Sequence, residues 1–181
     1  ESEDYINHEE DIYVGYRYFE TFDSSYSKVA YPFGFGLSYT SFDISDVKVT
    51  EADDNISVTA TVKNTGSVSG REVVQTYFSS PQRGTDDNSP KLSKASKELA
   101  AWKKTNLLKP EESETVIMSF PISDMASYDD TGVTGHKSAY VLEKGDYNVY
   151  VGNSVKNAGE NGVRHKHTEN ELKVTEQLTQ Q

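Results

Sequence analysis

Cysteine is missing from the 181 residues. Its absence removes disulfides, thiolate metal sites and a cysteine nucleophile together, and it leaves the redox compartment open, so neither the cytoplasm nor secretion is selected. There is no run of about 18 apolar residues, the length that a membrane-spanning helix requires. Cations are scarce: Lys and Arg number 18 against 29 Asp and Glu, a formal net charge of −11. A phosphate backbone or an anionic lipid surface would be repelled, so neither nucleic acid nor membrane is expected as a partner. No segment keeps a 3.6-residue apolar period for three turns, and no Gly-x-Ser-x-Gly elbow or twelve-residue EF-hand pattern occurs. The opening Glu1-Ser2-Glu3-Asp4 has neither an initiator Met nor the basic-then-apolar order of a signal peptide, and the chain is expected to be an excerpt of a longer polypeptide.

What is present is a polar exterior around aromatic material. Hydrophobic residues make up 34% of the chain and aromatic ones 11%, with a mean hydropathy of −0.70. That aromatic content argues against disorder along the whole length. The length suits one ordinary domain of about 100–200 residues with a flanking segment.

From Ser41 onward apolar residues fall at alternate positions: Phe42, Ile44, then Val47 and Val49; Ile56, Val58, Ala60 and Val62; Val116, Met118 and Phe120. A period of two marks a half-buried strand. Turn signals separate the runs at Asp53-Asp54-Asn55, Asn64-Thr65-Gly66, Ser69-Gly70, Lys109-Pro110-Glu111 and Lys144-Gly145-Asp146. The expected strands are Phe42–Thr50, Ile56–Lys63, Glu72–Ser79, Glu98–Lys104, Glu114–Ile122, Ala139–Leu142 and Tyr147–Gly152, with a weaker one at Glu171–Thr175. Seven or eight short strands predict an all-β fold of two packed antiparallel sheets.

Three stretches lie outside this pattern. Residues 1–40 carry a dense aromatic series that includes Tyr13, Tyr16, Tyr18, Phe19, Tyr31, Phe33, Phe35 and Tyr39, punctuated by Pro32, Gly34 and Gly36. So many rings require a partner surface, since exposed they would form an aggregation-prone patch. Residues 81–96 are rich in Ser, Asp and Lys and read as a long exposed loop. Residues 153–167 are polar, and Gly159 and Gly162 count against regular structure there.

At this point the residues show a resemblance. Asp11-Ile-Tyr-Val-Gly-Tyr-Arg-Tyr-Phe19, followed by Tyr31-Pro-Phe-Gly-Phe-Gly-Leu-Ser-Tyr-Thr-Ser-Phe42, resembles the junction between the α/β sandwich domain and the fibronectin type III-like domain of family-3 glycoside hydrolases. Further blocks resemble that domain in order: Val62-Lys-Asn-Thr-Gly66 with Gly70-Arg-Glu-Val-Val-Gln-Thr-Tyr77, then Lys97-Glu-Leu99, Leu108-Lys-Pro-Glu-Glu-Ser-Glu-Thr115, Ser127-Tyr128-Asp129 and Gly145-Asp-Tyr-Asn-Val-Tyr-Val-Gly152. Six blocks in sequence make a specific signal where one alone would be weak.

The resemblance implies an immunoglobulin-like or fibronectin type III-like β-sandwich over 41–152, with residues 1–40 as the end of the α/β sandwich domain plus a linker, and 153–181 as an extension. Gly15–Phe19 would be the last strand of that α/β sandwich. The tail Glu171–Gln181 resembles the stretch that leads into a barrel in inverted members of the family. In the family a (β/α)8 barrel supplies an Asp nucleophile and the α/β sandwich domain an acid/base residue, a pair of carboxyl groups set about 5 Å apart in retaining enzymes. Neither motif is matched here, so no catalytic residue is assigned and no cofactor or metal is implied. The expected partners are the barrel and α/β sandwich domains of the same enzyme, a β-glucosidase, with the eight rings named above packing between domains.

Competing readings attach to a few residues. His165 and His167 could form a metal pair, but sequence spacing supplies no third ligand. Trp102 could be a sugar-stacking platform; its plainer reading is a core or edge-strand anchor. Asn55-Ile56-Ser57 is a glycosylation sequon that nothing else supports. For the whole chain, the alternative to an accessory domain is a free-standing carbohydrate-binding or adhesive module.

Overall fold

The computed structural model describes residues 9, 11–23 and 25–179. In chain order the elements are α1 (Tyr16–Phe22), β1 (Phe42–Ala52), β2 (Asn55–Asn64), β3 (Val73–Ser79), β4 (Glu98–Lys104), β5 (Ser113–Pro121), a 3₁₀ turn (Ile122–Met125), β6 (Ser127–Asp129), β7 (Ala139–Leu142), β8 (Gly145–Gly152), α2 (Val155–Glu160), β9 (His165–Glu169) and β10 (Lys173–Gln177). They form antiparallel sheets of order β1-β2-β5, β4-β3-β8-β9 and β10-β7-β6. The fold is the expected all-β sandwich with an aromatic N-terminal cluster.

The first sheet turns Ile56, Val58, Ala60 and Val62 of β2, with Val116, Met118 and Phe120 of β5, onto Val74 and Phe78 of β3 and Tyr147, Val149 and Val151 of β8. These side chains are almost wholly removed from water, a burial that stabilises by about 1.5–3 kcal/mol per large apolar residue. The parity change in β1, from Phe42 and Ile44 to Val47 and Val49, has a local cause. The register with β2 shifts between Ser45 and Lys48, and Asp46 takes a positive φ of 50°. One extra residue in the strand swaps the faces, so both halves keep their apolar side chains inward. At the hairpin, Asp53 and Asp54 both adopt positive φ, 50° and 56°, the two-residue turn that suits strand twist.

The Asn64-Thr65-Gly66 block is a hub rather than a simple turn. Asn64 is fully buried; its amide donates to the carbonyls of Val68 at 2.8 Å and Leu108 at 2.9 Å, and its oxygen accepts from the Thr40 hydroxyl at 2.7 Å. A Cβ on Gly66 would lie 2.2 Å from that hydroxyl. This close approach ties the start of β1 to the end of β2.

The loop before β4 corrects one expectation. Its tip is exposed, but Leu92, Lys94 and Ala95 are buried. Lys94 forms an ion pair with Glu143, their side chains only 1% and 5% exposed, and it also donates to the Pro81 carbonyl at 3.0 Å. Glu143 accepts the backbone N–H groups of Lys91 and Leu92 as well.

Two further expectations fail. Gly15–Phe19 is no strand: Gly15 takes a φ of 61° and α1 starts immediately after it. Residues 153–167 are not irregular, because Ser154 caps α2 by accepting from Asn157 N at 3.2 Å and β9 then pairs with β8. The weak strand foreseen at the tail is β10, paired with β7.

Replacing Lys94 with Met leaves the Glu143 carboxylate buried without its cation and is expected to cost on the order of 3–5 kcal/mol in urea unfolding. The double variant K94M/E143Q should recover part of that loss, because a neutral amide oxygen still accepts from Leu92 N.

Candidate functional site

Among the described residues, no three His, Asp or Glu side chains are gathered so as to hold a metal ion. The feature with functional content is the aromatic segment. Helix α1 presents Tyr16, Arg17, Glu20 and Thr21, the i, i+1, i+4, i+5 face of a helix, to the start of β4. The Tyr16 hydroxyl accepts from Leu99 N at 2.8 Å, and the Thr21 hydroxyl oxygen accepts from Ser96 N at 3.0 Å. Arg17 pairs with Glu98 at 3.0 Å and Glu20 with Lys97 at 2.9 Å. The Tyr26 hydroxyl also donates to Glu20. Burial pushes the Tyr26 hydroxyl up, and the Glu20 carboxylate adds to the shift. Burial likewise raises Glu98, against the opposing pull of Arg17.

The segment after α1 folds back over the outer face of β3. Asp23 gathers it, accepting from Lys28 N at 2.8 Å and Ser27 N at 3.1 Å; these bonds, the Lys28 N–H foremost, hold its carboxyl at about 2. Phe33 stacks on Tyr16 with ring centroids 4.4 Å apart, and its carbonyl accepts from Val155 N at 2.9 Å. Gly34, at φ 87°, lies where a Cβ would meet the Gln75 side chain at 2.4 Å, so only glycine allows this approach. Beneath, Tyr77 packs with Val155 and Ala158 of α2.

Most of the remaining rings meet one another. Tyr13 meets Phe22 edge-on at 4.9 Å and Tyr18 lies 5.1 Å from Phe22, while Tyr18 and Phe19 meet edge-on at 5.5 Å. Tyr31 and Phe35 stack at 4.8 Å. Phe22 is 58%, Tyr31 70% and Tyr39 96% exposed. A cavity of about 480 Å³ opens among Tyr16, Phe19, Tyr26, Tyr31 and Phe33, with Glu20 and Lys28 on its wall. The eight rings singled out in the sequence therefore divide: Tyr16 and Phe33 fasten the segment to the sandwich, Tyr18, Tyr31, Phe35 and Tyr39 are exposed, and Tyr13 and Phe19 are half-buried between the two sets.

Trp102 lies on β4, an edge strand, and is 62% exposed, which rules out a core position. A register shift opposite Thr76 and Tyr77 leaves Ala100 unpaired and sets Trp102 across from Gln75, on the outer face. His165 and His167 both turn to Glu51, a residue without any sequence signal that joins it to them. The polar partners of α1 were equally hidden, although Arg17, Glu20 and Thr21 share helical spacing.

The chain matches the fibronectin type III-like domain family over residues 72–155. It is 44% identical over 171 residues to β-glucosidase A of Butyrivibrio fibrisolvens, covering 86% of this chain and 20% of that protein. It is also 44% identical to a β-glucosidase of Ruminococcus albus, covering 94% of this chain and 17% of that one. Among solved structures, a β-glucosidase from Paenibacillus barengoltzii superposes with a TM-score of 0.79 at 46% identity, over 96% of this chain and 18% of that one. β-Glucosidase 3B from Thermotoga neapolitana, in complex with α-D-glucose, gives 0.71 at 39% identity, over 93% and 21%. The chain thus spans about a fifth of the length of these relatives. It contains a fibronectin type III-like domain and, across that domain and the aromatic segment before it, matches the β-glucosidases of glycoside hydrolase family 3.

Proposed function

We propose that this chain is the non-catalytic accessory portion of a retaining β-glucosidase, and that it positions the parent's catalytic domains through the outward aromatic surface of residues 13–39. The parent would hydrolyse terminal β-D-glucosyl residues. The single observation that carries this is the polarity of α1: Arg17, Glu20 and Thr21, with the Tyr16 hydroxyl, are turned to its own sandwich, while the rings of Tyr18 and Phe22 stand exposed. A helix arranged so has an unfilled apolar face that a neighbouring domain of the same polypeptide would cover. On this reading 1–40 joins the domains, 41–152 is the sandwich and 153–181 an extension packed on it. Two catalytic domains displaced by about 1 Å can lose on the order of a hundredfold in rate, so a scaffold without chemistry matters for turnover.

The test compares chain and parent. The triple variant Tyr18→Ser, Phe22→Ser, Tyr39→Ser removes rings exposed in this chain, so its unfolding free energy should change by about 0.5 kcal/mol per site or less. In the full-length enzyme the same changes should lower kcat/KM for a β-glucoside by about tenfold or more. Unchanged kcat/KM with an intact parent sinks the scaffold reading.

A second reading, a carbohydrate-binding module, is favoured by one observation: Trp102 stands exposed on an edge strand, where its ring could stack on a pyranose. Titrating the chain with glucose, cellobiose and polymeric β-glucan while following Trp102 fluorescence separates the two. The scaffold reading expects no saturable change; saturable binding that Trp102→Ala abolishes would favour the module.

A further inference from the structure

The sandwich has two open sides. On one, the edge strands β4 and β5 run side by side, helped by the bridge between Gly70 and Leu108. On the other, the edge strands are β1 and β9, which belong to different sheets and share no ladder. There the connection is made by side chains. The two carboxylate oxygens of Glu51 on β1 meet His165 Nε2 and His167 Nδ1 on β9, each at 2.9 Å. The second ring nitrogen of His167 faces Glu169 Oε1 at 3.1 Å. The group is partly sheltered, with His167 11%, Glu169 15%, His165 23% and Glu51 32% exposed. Tyr147 of β8 lies against His167 at 6.1 Å between ring centroids. Lys166 and Thr168 point to the other face of β9, where they bond Asp146.

Proton counting decides what this arrangement is. An ionised carboxylate only accepts hydrogen bonds, and a neutral imidazole donates from one nitrogen alone. His167 has a carboxylate oxygen at each nitrogen, so the closed geometry needs one proton more than neutral imidazole and two ionised carboxylates carry. We propose that Glu51, His165, His167 and Glu169 form a proton-gated clasp that closes this side of the sandwich. With the extra proton, both His167 nitrogens donate and β9 is fastened to β1. Without it, a nitrogen lone pair faces a carboxylate, and β9 is released from β1 and left as an edge strand held by its ladder with β8 alone.

The direction follows from linkage. The closed edge holds a proton that the open edge gives up, so rising pH favours opening. Burial alone would raise Glu51, but the bonds from His165 and His167 hold it below the usual carboxylate range. The carboxylate half of the clasp therefore contributes above that range and is lost only as pH falls through the lowered value. The edge is tightest in mildly acidic solution, and histidine is the side chain whose charge ordinarily changes across the physiological range.

The test is amide hydrogen exchange of the 181-residue chain from about pH 5 to about pH 8, corrected for intrinsic rates, together with nitrogen NMR of the His167 ring. Protection at β9 is expected to fall by up to about tenfold per pH unit, the limit for one released proton, relative to Val58 in the core. The His167 ring should carry protons on both nitrogens wherever β9 is protected. Glu169→Gln is the discriminating variant: its amide can donate to the Nε2 lone pair, so the edge should stay closed and lose most of its pH dependence. His167→Gln should also flatten the profile, with β9 less protected throughout. The proposal is overturned if E169Q keeps the full dependence, if β9 and the core respond alike, or if Zn²⁺ and a chelator rather than pH control the protection.

Discussion

Strand β3 is buried on both faces, and everything placed around it answers that demand. Val74, Thr76 and Phe78 face the opposite sheet, while Gln75 and Tyr77 face outward yet are equally withdrawn from water. A sandwich strand ordinarily turns one face to solvent. Here the outer face must be covered, because Tyr77 is a large ring whose hydroxyl bonds Gln75, and an uncovered Gln75 and Tyr77 would open the middle of a four-stranded sheet. The cover comes from three separate pieces of chain: Tyr16 of α1, Phe33-Gly34 and α2. The N-terminal segment is therefore part of the sandwich's own packing, and its exposed rings are the surface proposed above to meet the catalytic domains.

That double duty accounts for the polarity of the helix. Lys97 and Glu98 stand at the entry to β4, so the complementary face of α1 is charged, and Tyr18 and Phe22 are left exposed. A seven-residue helix gains little from propensity alone; four hydrogen-bonding side chains aimed at one short stretch of strand supply what holds it. The long loop follows the same logic at its base. Lys94 and Glu143 lock it to the turn between β7 and β8, an arrangement costly to break from one side and well suited to fixing a geometry.

The strands were legible because apolar alternation and turn residues are local signals: β1, β2, β3, β4, β5, β7, β8 and β10 lie within two residues of their expected bounds. The failures are equally physical. The resemblance makes Gly15-Tyr-Arg-Tyr-Phe19 a strand of a preceding domain, and its aromatic residues do favour strands, but a positive φ at Gly15 precedes a helix that is held by contacts at the entry to β4. Of the two plain readings of Trp102, core or edge strand, the structure keeps the edge strand: the irregularity in β4 sets the ring across from Gln75 on the outer face. The shorter helix α2 rests on one cap and two small apolar side chains, too little to read against two glycines.

By itself the sequence determined the class of fold, the core positions of its two main sheets and the family likeness, because each is written in periods and blocks that neighbouring residues carry. Only the tertiary structure decided which rings fasten and which are left exposed, that Lys94 meets Glu143, and that Glu51 gathers two histidines more than a hundred residues away. Those pairings arise where sheets and loops distant in sequence come within bonding distance, and no local pattern encodes that proximity.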